Sequence, residues 1–481
     1  MALGGIVVVG ATLRFSTLGL QSYRYDEAVT VGRVLQPNLF DTLSTVPGSE
    51  STPPLYYLVA WLWSRLFGTG EVGLRSLSAL AGTASIVAVY LGAVALPLPR
   101  RAGLVAAGMV AVSPVLIWFS QDARAYALVF LLTALSFLFF ARARRGGDKR
   151  DLAWWAVFSA LAICTHYFAA FVIAPEAAWL LIAAGDRRRA GMAVAAVAVV
   201  GALLAPLALQ QAGNAHAAWI AKQPLPQRLE RAGAKLVGDD NGDEHGVRQP
   251  GPIPLGIPVA IAVLGLALLL WRGDELERRG AGVAAGVGLA ALALPVLLGF
   301  LGADYFDGRN LIPVFVPLIV VLAAGFAVRR AGWAGLALAG AFCLCSLIFT
   351  LEIDRLPRLQ REDLRNAAKE VEPLRSGLAV VTIRFSGNEP LRYYLGARYP
   401  HGPLPPLREI DLVGSRQAAD RSAARLLPPA FHRVEQKPVS YNFTLTRFRA
   451  GRPVRVPLGV LEQGALVGGG RYSSVLVGGR R

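Results

Sequence analysis

Apolar residues gather in long runs near 2–20, 73–97, 102–120, 125–141, 152–166, 167–185, 190–210, 253–271, 281–301, 310–328 and 331–350. Most of these runs are roughly 17–25 residues long, enough for a helix to cross a hydrocarbon core about 30 Å thick. The pattern predicts an all-α polytopic membrane protein with about eleven transmembrane helices. The stretch 151–186 reads as two short spans meeting near Thr165–Phe168. The first run lacks a basic leader and a small-residue cleavage site, so it reads as an uncleaved span.

The polar connectors orient these spans. Arg100–Arg101, the basic turn Arg142–Arg150, Arg187–Arg189, the turn from Arg272 to Arg279, and Arg329–Arg330 are basic. Placing all five in the cytoplasm satisfies the positive-inside bias along one alternating path. The segment Pro54–Gly68 is apolar but short and rich in Tyr and Trp. It reads as a juxtamembrane helix on the outer surface, inside a long outer loop 21–72. A second outer loop is expected over 211–252.

The pattern changes after residue 350. Charges become frequent, Pro and Gly punctuate, and alternation replaces long runs. Glu362–Glu372 predicts a helix, and Leu378–Phe385 and Tyr441–Arg449 predict strands. The expected organisation is a membrane domain at 1–350, a small C-terminal extracytoplasmic α/β domain at 351–456, and a disordered Gly-rich tail at 457–481.

Composition agrees. Of 481 residues, 54% are hydrophobic and only 17% charged, where a soluble chain carries about a quarter charged residues. The net charge of +17 is spread over loops rather than gathered on one face, which argues against nucleic acid as a partner. Cys164, Cys343 and Cys345 all lie in apolar runs. That arrangement suggests neither a disulfide framework nor a zinc site.

The polar residues that topology leaves unexplained converge on the predicted outer face. They are Tyr25-Asp26-Glu27 after the first span, Ser120-Gln121-Asp122-Ala123-Arg124-Ala125-Tyr126, Thr165-His166-Tyr167, and Asp304, Asp307 and Arg309. Each has a plain reading as a turn, an interfacial ion pair, a packing histidine or a membrane anchor. Glu176 stands alone inside an apolar run, where an ionisable group is costly and needs a partner. Together, carboxylates and arginines at a membrane surface suit a lipid-linked phosphosugar. Arginine grips phosphate oxygens with a fork that is always charged and stabilises the phosphate as it leaves. A carboxylate takes the proton of the attacking hydroxyl.

The ordered set Tyr25-Asp26-Glu27-Ala28, Pro53-Pro54-Leu55-Tyr56-Tyr57, Glu71–Leu80, Ser113-Pro114 with SQDARAY, and Arg309-Asn310-Leu311-Ile312-Pro313 resembles the family 39-like GT-C glycosyltransferases. That group includes protein O-mannosyltransferases and lipid A aminoarabinose transferases. REDLRNAA, LRYYLG and FTLTRFRA resemble the outer domain of bacterial mannosyltransferase-like members. The resemblance implies inverting transfer of a sugar, mannose by default, from a polyprenyl-phosphate donor to an acceptor hydroxyl. The acceptor would be a glycan, a lipid or a protein. The setting would be multi-pass in the inner (plasma) membrane, with an active site facing the extracytoplasmic side. It implies Asp26 as base with Glu27 as acidic neighbour, and Asp122 as a further catalytic acid. Arg124, Arg309 and Tyr126 would lie at the donor phosphate, and His166, Tyr56, Tyr57 and Gln121 around the substrate pocket. Thr52 stands where many relatives carry His. No cofactor is demanded; Asp26 and Asp122 would hold a divalent metal if one is used. The competing classes are a lipid-glycan flippase, expected to show repeats and mid-membrane polar groups, and a non-catalytic binder of lipid-linked glycans.

Overall fold

The computed structural model describes residues 1–146, 148–183, 185–214, 219–237, 253–371, 373–415, 423–468 and 471–478. The chain divides into two compact units. One comprises Met1–Leu18 and Val34–Arg355, the other Gly19–Arg33 and Leu356–Arg481.

The first unit is helical, and each of the eleven expected apolar runs falls on a helix. By length and composition five helices among the described residues could cross a membrane: Glu71–Ala95, Tyr126–Arg144, Arg187–Gly213, Glu275–Phe300 and Arg329–Arg355. The pair Arg100–Val112 and Pro114–Ser120, bent by 59°, makes a sixth if it is one span. Ala2–Phe15, Tyr167–Ala183, Gly256–Arg272 and Ile312–Phe326 are apolar but shorter, and Lys149–Thr165 carries the run expected at 152–166.

Leu55–Phe67 is the expected short aromatic helix. It buries Tyr56, Tyr57, Ala60 and Ser64 along one stripe and leaves Leu62, Leu66 and Phe67 exposed, as helical spacing requires. Two helices were not foreseen: Leu39–Ser49, capped by the Asn38 side chain, and Leu225–Val237 inside the expected loop 211–252. Residues 215–218 and 238–252 of that loop lie outside the described residues.

The bend at Ser113–Pro114 positions the site. Proline has no N–H, so the carbonyl four residues back loses its helical partner, and a buried orphan carbonyl is costly. Arg14, fully buried, supplies the missing donors. Its Nη2 donates to Val110 O (2.8 Å), its Nη1 to Ala111 O (2.9 Å) and Gly10 O (3.0 Å), and its Nε to Ser120 Oγ (3.1 Å). Gln121 Nε2 in turn caps the end of Ala2–Phe15 by donating to Leu13 O (3.1 Å), Arg14 O (3.2 Å) and Thr17 Oγ1 (2.7 Å). Gln121, expected in the substrate pocket, therefore commits its amide to joining the first helix to the SQDARAY segment.

Gly82, on Glu71–Ala95, makes that junction possible. A Cβ there would overlap Ser120 Oγ and lie 3.0 Å from Arg14 Nε. Gly82→Ala should lower stability by about 1–3 kcal/mol through overpacking. Thermal unfolding of the purified protein checks this, with Gly191→Ala as a control, since nothing lies within 4 Å of its Cβ. Equal melting temperatures for the two variants would contradict it.

Glu176, the acid inside the apolar run 167–185, ties three helices together. Its Oε2 accepts from Ser136 Oγ (2.6 Å) and Trp155 Nε1 (2.9 Å), and Ser136 Oγ meets Ser159 Oγ at 2.9 Å.

The second unit is built on a six-stranded sheet. Its strands are β1 Leu378–Ile383, β2 Ala397–Arg398, β3 Leu407–Ser415, β4 Phe431–Pro438, β5 Phe443–Val454 and β6 Ser473–Gly478, in the order β2-β6-β1-β3-β5-β4. Among the described residues only β1 and β3 pair in parallel, and the helix Asn388–Leu395 lies in their crossover. Alternate residues serve two cores. Val380, Val413, Leu445 and Leu476 pack with Leu364 and Leu391. Ala379, Val381, Ile410 and Phe448 pack with Leu461, Leu466 and Val467. Both faces are covered, which fits the unbroken apolar run Leu378–Val381 in β1.

Two expectations change here. The domain starts near 356 and includes Gly19–Arg33, which was assigned to the outer loop of the membrane domain. The tail at 457–481 was expected to be disordered. It forms the short helix Leu458–Leu461, and its β6 pairs antiparallel with β1. Val475 and Leu476 are buried there, and that burial offsets the ordering of a Gly-rich stretch. Residues 469–470 and 479–481 lie outside the described residues, as does Glu372 of the expected helix, which runs Leu364–Glu370.

Candidate functional site

The candidate residues divide between the two units. In the helical unit the central group is Arg124. The chain between Ser120 and Tyr126 is not helical, and it places Arg124 Nη2 2.8 Å from Glu50 Oε2, with both side chains buried. Glu50 was not among the residues that the sequence singled out. Asp122 is itself fully buried, and its carbonyl accepts from the Arg124 N–H at 2.8 Å.

The segment bearing Glu50 is anchored by Gln211. Its Nε2 donates to Val46 O (3.3 Å) and Thr52 O (3.1 Å), and its Oε1 accepts from Tyr167 Oη (2.8 Å). The hydroxyls of Thr52 and Tyr57 meet at 2.9 Å. Burial raises the Tyr57 pKa well above the usual tyrosine range, with Arg124 opposing and Glu50 reinforcing the shift. The phenol therefore keeps its proton beside the ion pair. Tyr56 is fully buried and packs edge-on against Tyr57 at 5.5 Å. One oxygen of Glu50, Oε1, is buried with no hydrogen-bond partner.

His166 sits in the turn between Lys149–Thr165 and Ala170–Ala183, outside both helices. Its Nδ1 accepts from the Phe168 N–H at 3.3 Å, so the neutral ring carries its proton on Nε2. Its ring lies 5.7 Å from Tyr126 and 5.1 Å from Phe168. Burial, then the charges of Arg124 and Arg309, lower its pKa to about 3. A group whose folded pKa lies below its unfolded value of 6.5 contributes stability above 6.5, and that contribution is lost as pH falls toward 3. Between pH 7.5 and pH 5 it should cost about 2 kcal/mol. Melting curves of wild type and His166→Gln check this: the variant should lose less stability on acidification, and an identical pH dependence would contradict it.

Arg309 stacks over Trp219 at 4.8 Å and lies 3.6 Å from Asp307, which also accepts from the Arg309 N–H at 3.1 Å. Asp304 is held by both arms of Arg228, at 2.6 and 2.7 Å. That fork keeps its carboxyl below the usual range and marks Asp304 as a structural ion pair.

In the second unit the first-loop acids sit in a clasp. Ser22 Oγ donates to Glu362 O (2.6 Å) and accepts from Leu364 N–H (3.2 Å). Gln21 Oε1 accepts from Arg361 N–H (2.8 Å), and Arg365 Nη2 donates to Gly19 O (3.1 Å) and Leu20 O (2.9 Å). The REDLRNAA motif thus holds residues 19–27, a function its sequence did not announce. Glu27 is fully buried. Its Oε2 accepts from Arg24 N–H (3.1 Å) in a capping box and lies 3.5 Å from Arg361 Nη1. Asp26 is different: its side chain is 29% exposed, and Arg24 approaches only to 3.8 Å. Of the two acids, Asp26 is the more exposed.

Among the described residues no group of three or more His, Cys, Asp or Glu side chains is placed to hold a metal ion.

Residues 51–209 match the family model described as dolichyl-phosphate-mannose-protein mannosyltransferase. The match takes in Tyr56, Tyr57, Gln121, Asp122, Arg124, Tyr126 and His166, and leaves Asp26, Glu27 and Arg309 outside it. Among solved structures the chain resembles the Archaeoglobus fulgidus oligosaccharyltransferase tethered to an acceptor peptide containing the NVT sequon, with a TM-score of 0.44 and 13% identity. That likeness covers 77% of this chain and 57% of the oligosaccharyltransferase, so this chain spans less than two thirds of its length. ArnT from Cupriavidus metallidurans in the apo state gives a TM-score of 0.43 at 12% identity, covering 92% of this chain and 97% of ArnT. The same protein bound to undecaprenyl phosphate gives 0.37 at 12% identity with the same coverage. No curated protein matches the chain.

Proposed function

We propose that the protein is a membrane glycosyltransferase that moves a sugar, mannose or one like it, from a polyprenyl-phosphate donor to an acceptor hydroxyl. The transfer would be inverting and on the extracytoplasmic side of the inner (plasma) membrane. The observation that carries this reading is Arg124. It lies within the mannosyltransferase-like stretch, is buried in a unit of apolar helices, and is held by a carboxylate that has an unsatisfied oxygen.

The chemistry follows from charge. Arg124 and Arg309 bind the donor phosphate, and the neutral His166 adds no competing charge. The acceptor oxygen attacks the anomeric carbon while the carbon–oxygen bond to phosphate breaks. The electron pair goes to the phosphate, where the guanidinium groups stabilise it. Asp26 takes the proton of the attacking hydroxyl. Tyr126 and Tyr57 support the donor side, and Asp122 keeps the turn bearing Arg124 in place.

Binding of undecaprenyl phosphate to the purified protein tests the donor assignment without turnover. Arg124→Gln and Arg309→Gln should each weaken binding by roughly tenfold or more, the loss expected for a charge-assisted hydrogen bond. Unchanged affinity in both variants would remove the phosphate role.

A further inference from the structure

We propose that Tyr25, Arg384, Phe385, Arg471 and Tyr472 form a binding platform for an anionic saccharide, which serves as the acceptor; the acceptor role rests on the transferase reading above. β1 ends at Ile383, paired with Ser473 at the start of β6. Residues 384–385 and 471–472 therefore leave the sheet at the same end.

Three features of that end lack a structural purpose. The rings of Phe385 and Tyr472 are 65% and 50% exposed, so neither serves a core. Arg384 lies over both rings, at 5.0 Å and 5.9 Å, and Arg471 lies over Tyr472 at 5.4 Å. Neither guanidinium has a hydrogen bond or carboxylate partner among the described residues. Phe385 is the only non-glycine residue with positive φ, +67°, among the described residues. A bulky side chain is rarely found there, and such strain persists only where its surroundings enforce it.

The surroundings do enforce it. The Phe385 N–H donates to Asn388 Oδ1 at 3.0 Å, and Asn388 Nδ2 donates to Tyr399 Oη at 2.6 Å. At Gly387 an added Cβ would overlap Thr382 Oγ1. A glycine at 385 would make the same turn without strain, so the turn does not account for the ring.

The chemistry of the patch selects its ligand. Exposed aromatic faces take the apolar C–H face of a sugar ring, and stacked arginines keep their N–H edges outward for an oxyanion. Two unpaired cations favour a saccharide bearing carboxylate or phosphate over a neutral one. The patch also adjoins the acid assigned as base. Tyr25 packs edge-on against Phe385 at 6.0 Å and is the chain neighbour of Asp26.

The test uses the purified full-length protein and labelled probes in fluorescence anisotropy: an oligogalacturonate, a neutral cello-oligosaccharide and an oligoglutamate peptide. The oligogalacturonate should bind at least roughly tenfold more tightly than either other probe. Phe385→Gly and the double variant Arg384→Gln/Arg471→Gln should each weaken it by roughly tenfold, while Tyr441→Ala, at the β4–β5 turn, should leave it unchanged. Phe385→Gly should also keep or raise the melting temperature, which separates lost binding from lost folding. Equal binding of the neutral probe, preference for the peptide, absence of binding, or affinity untouched by these variants would each overturn the proposal. The assay contains no donor. A protein that binds the probe but transfers no sugar would reject only the transferase reading, and one that transfers sugar with the platform variants binding normally would reject only the platform.

Discussion

Asp26→Asn leaves a folded, membrane-inserted protein whose sugar transfer falls by about 10²–10⁴-fold, the usual contribution of a positioned general base. The substitution keeps shape and removes only the ability to accept a proton. The Asp26 side chain is partly exposed, so the substitution should cost less stability than one at a fully buried acid. Glu27→Gln should behave oppositely. Its carboxylate is fully buried and accepts the Arg24 N–H near Arg361. Neutralising it weakens the clasp around residues 19–27, so it lowers the melting temperature of the protein as well as its rate. Circular dichroism melts and transfer rates on both variants separate the roles. If Asp26→Asn kept wild-type transfer, or if both variants lost stability equally, the division between base and anchor would fail.

Arg124→Gln should be the most destabilising of the site substitutions, at about 3–5 kcal/mol, because it leaves Glu50 charged, buried and without its counterion. Glu50 and Arg124 are both nearly inaccessible, and Glu50 already has one buried oxygen with no partner. The double variant Glu50→Gln/Arg124→Gln should recover much of that loss, since two neutral amides can hydrogen-bond where one stranded charge cannot. Recovery of stability without recovery of transfer would separate the structural value of the pair from the catalytic value of the guanidinium. A double variant as unstable as Arg124→Gln would show that the pair is not the source of the cost.

The helices were legible because length and apolar content suffice for them: every run from 2–20 to 331–350 lies on a helix. What escaped was set by contacts distant in sequence. Arg14 reads as a stray cation near the end of an apolar run. Only the carbonyls freed at Ser113–Pro114, about a hundred residues away, give it a purpose. Glu50 lies in a Ser-rich loop and gains significance only when the fold brings Arg124 to it. Gly19–Arg33 is continuous with the first helix in sequence, so the composition change at 350 could not reveal that it packs with 356–481. β6 was hidden by glycines on both sides of a short SSVLVG stretch, whose strand character depends on the vacant place between β1 and β2. Asp26, Arg124 and Arg309 were legible as charged groups beside apolar runs. That Glu27 and Gln121 serve as anchors was not, because a buried cap and a free ligand look alike in sequence.

Covalent transfer of a sugar from a lipid phosphate leaves a product whose mass can be read. Purified protein in bilayer discs would be incubated with a defined undecaprenyl-phosphate hexose and candidate acceptors, and the products weighed by mass spectrometry. The account predicts an acceptor heavier by one hexose residue, with release of free undecaprenyl phosphate that disappears in Asp26→Asn. Donor recovered intact from every incubation, with no acceptor gaining a hexose, would contradict it.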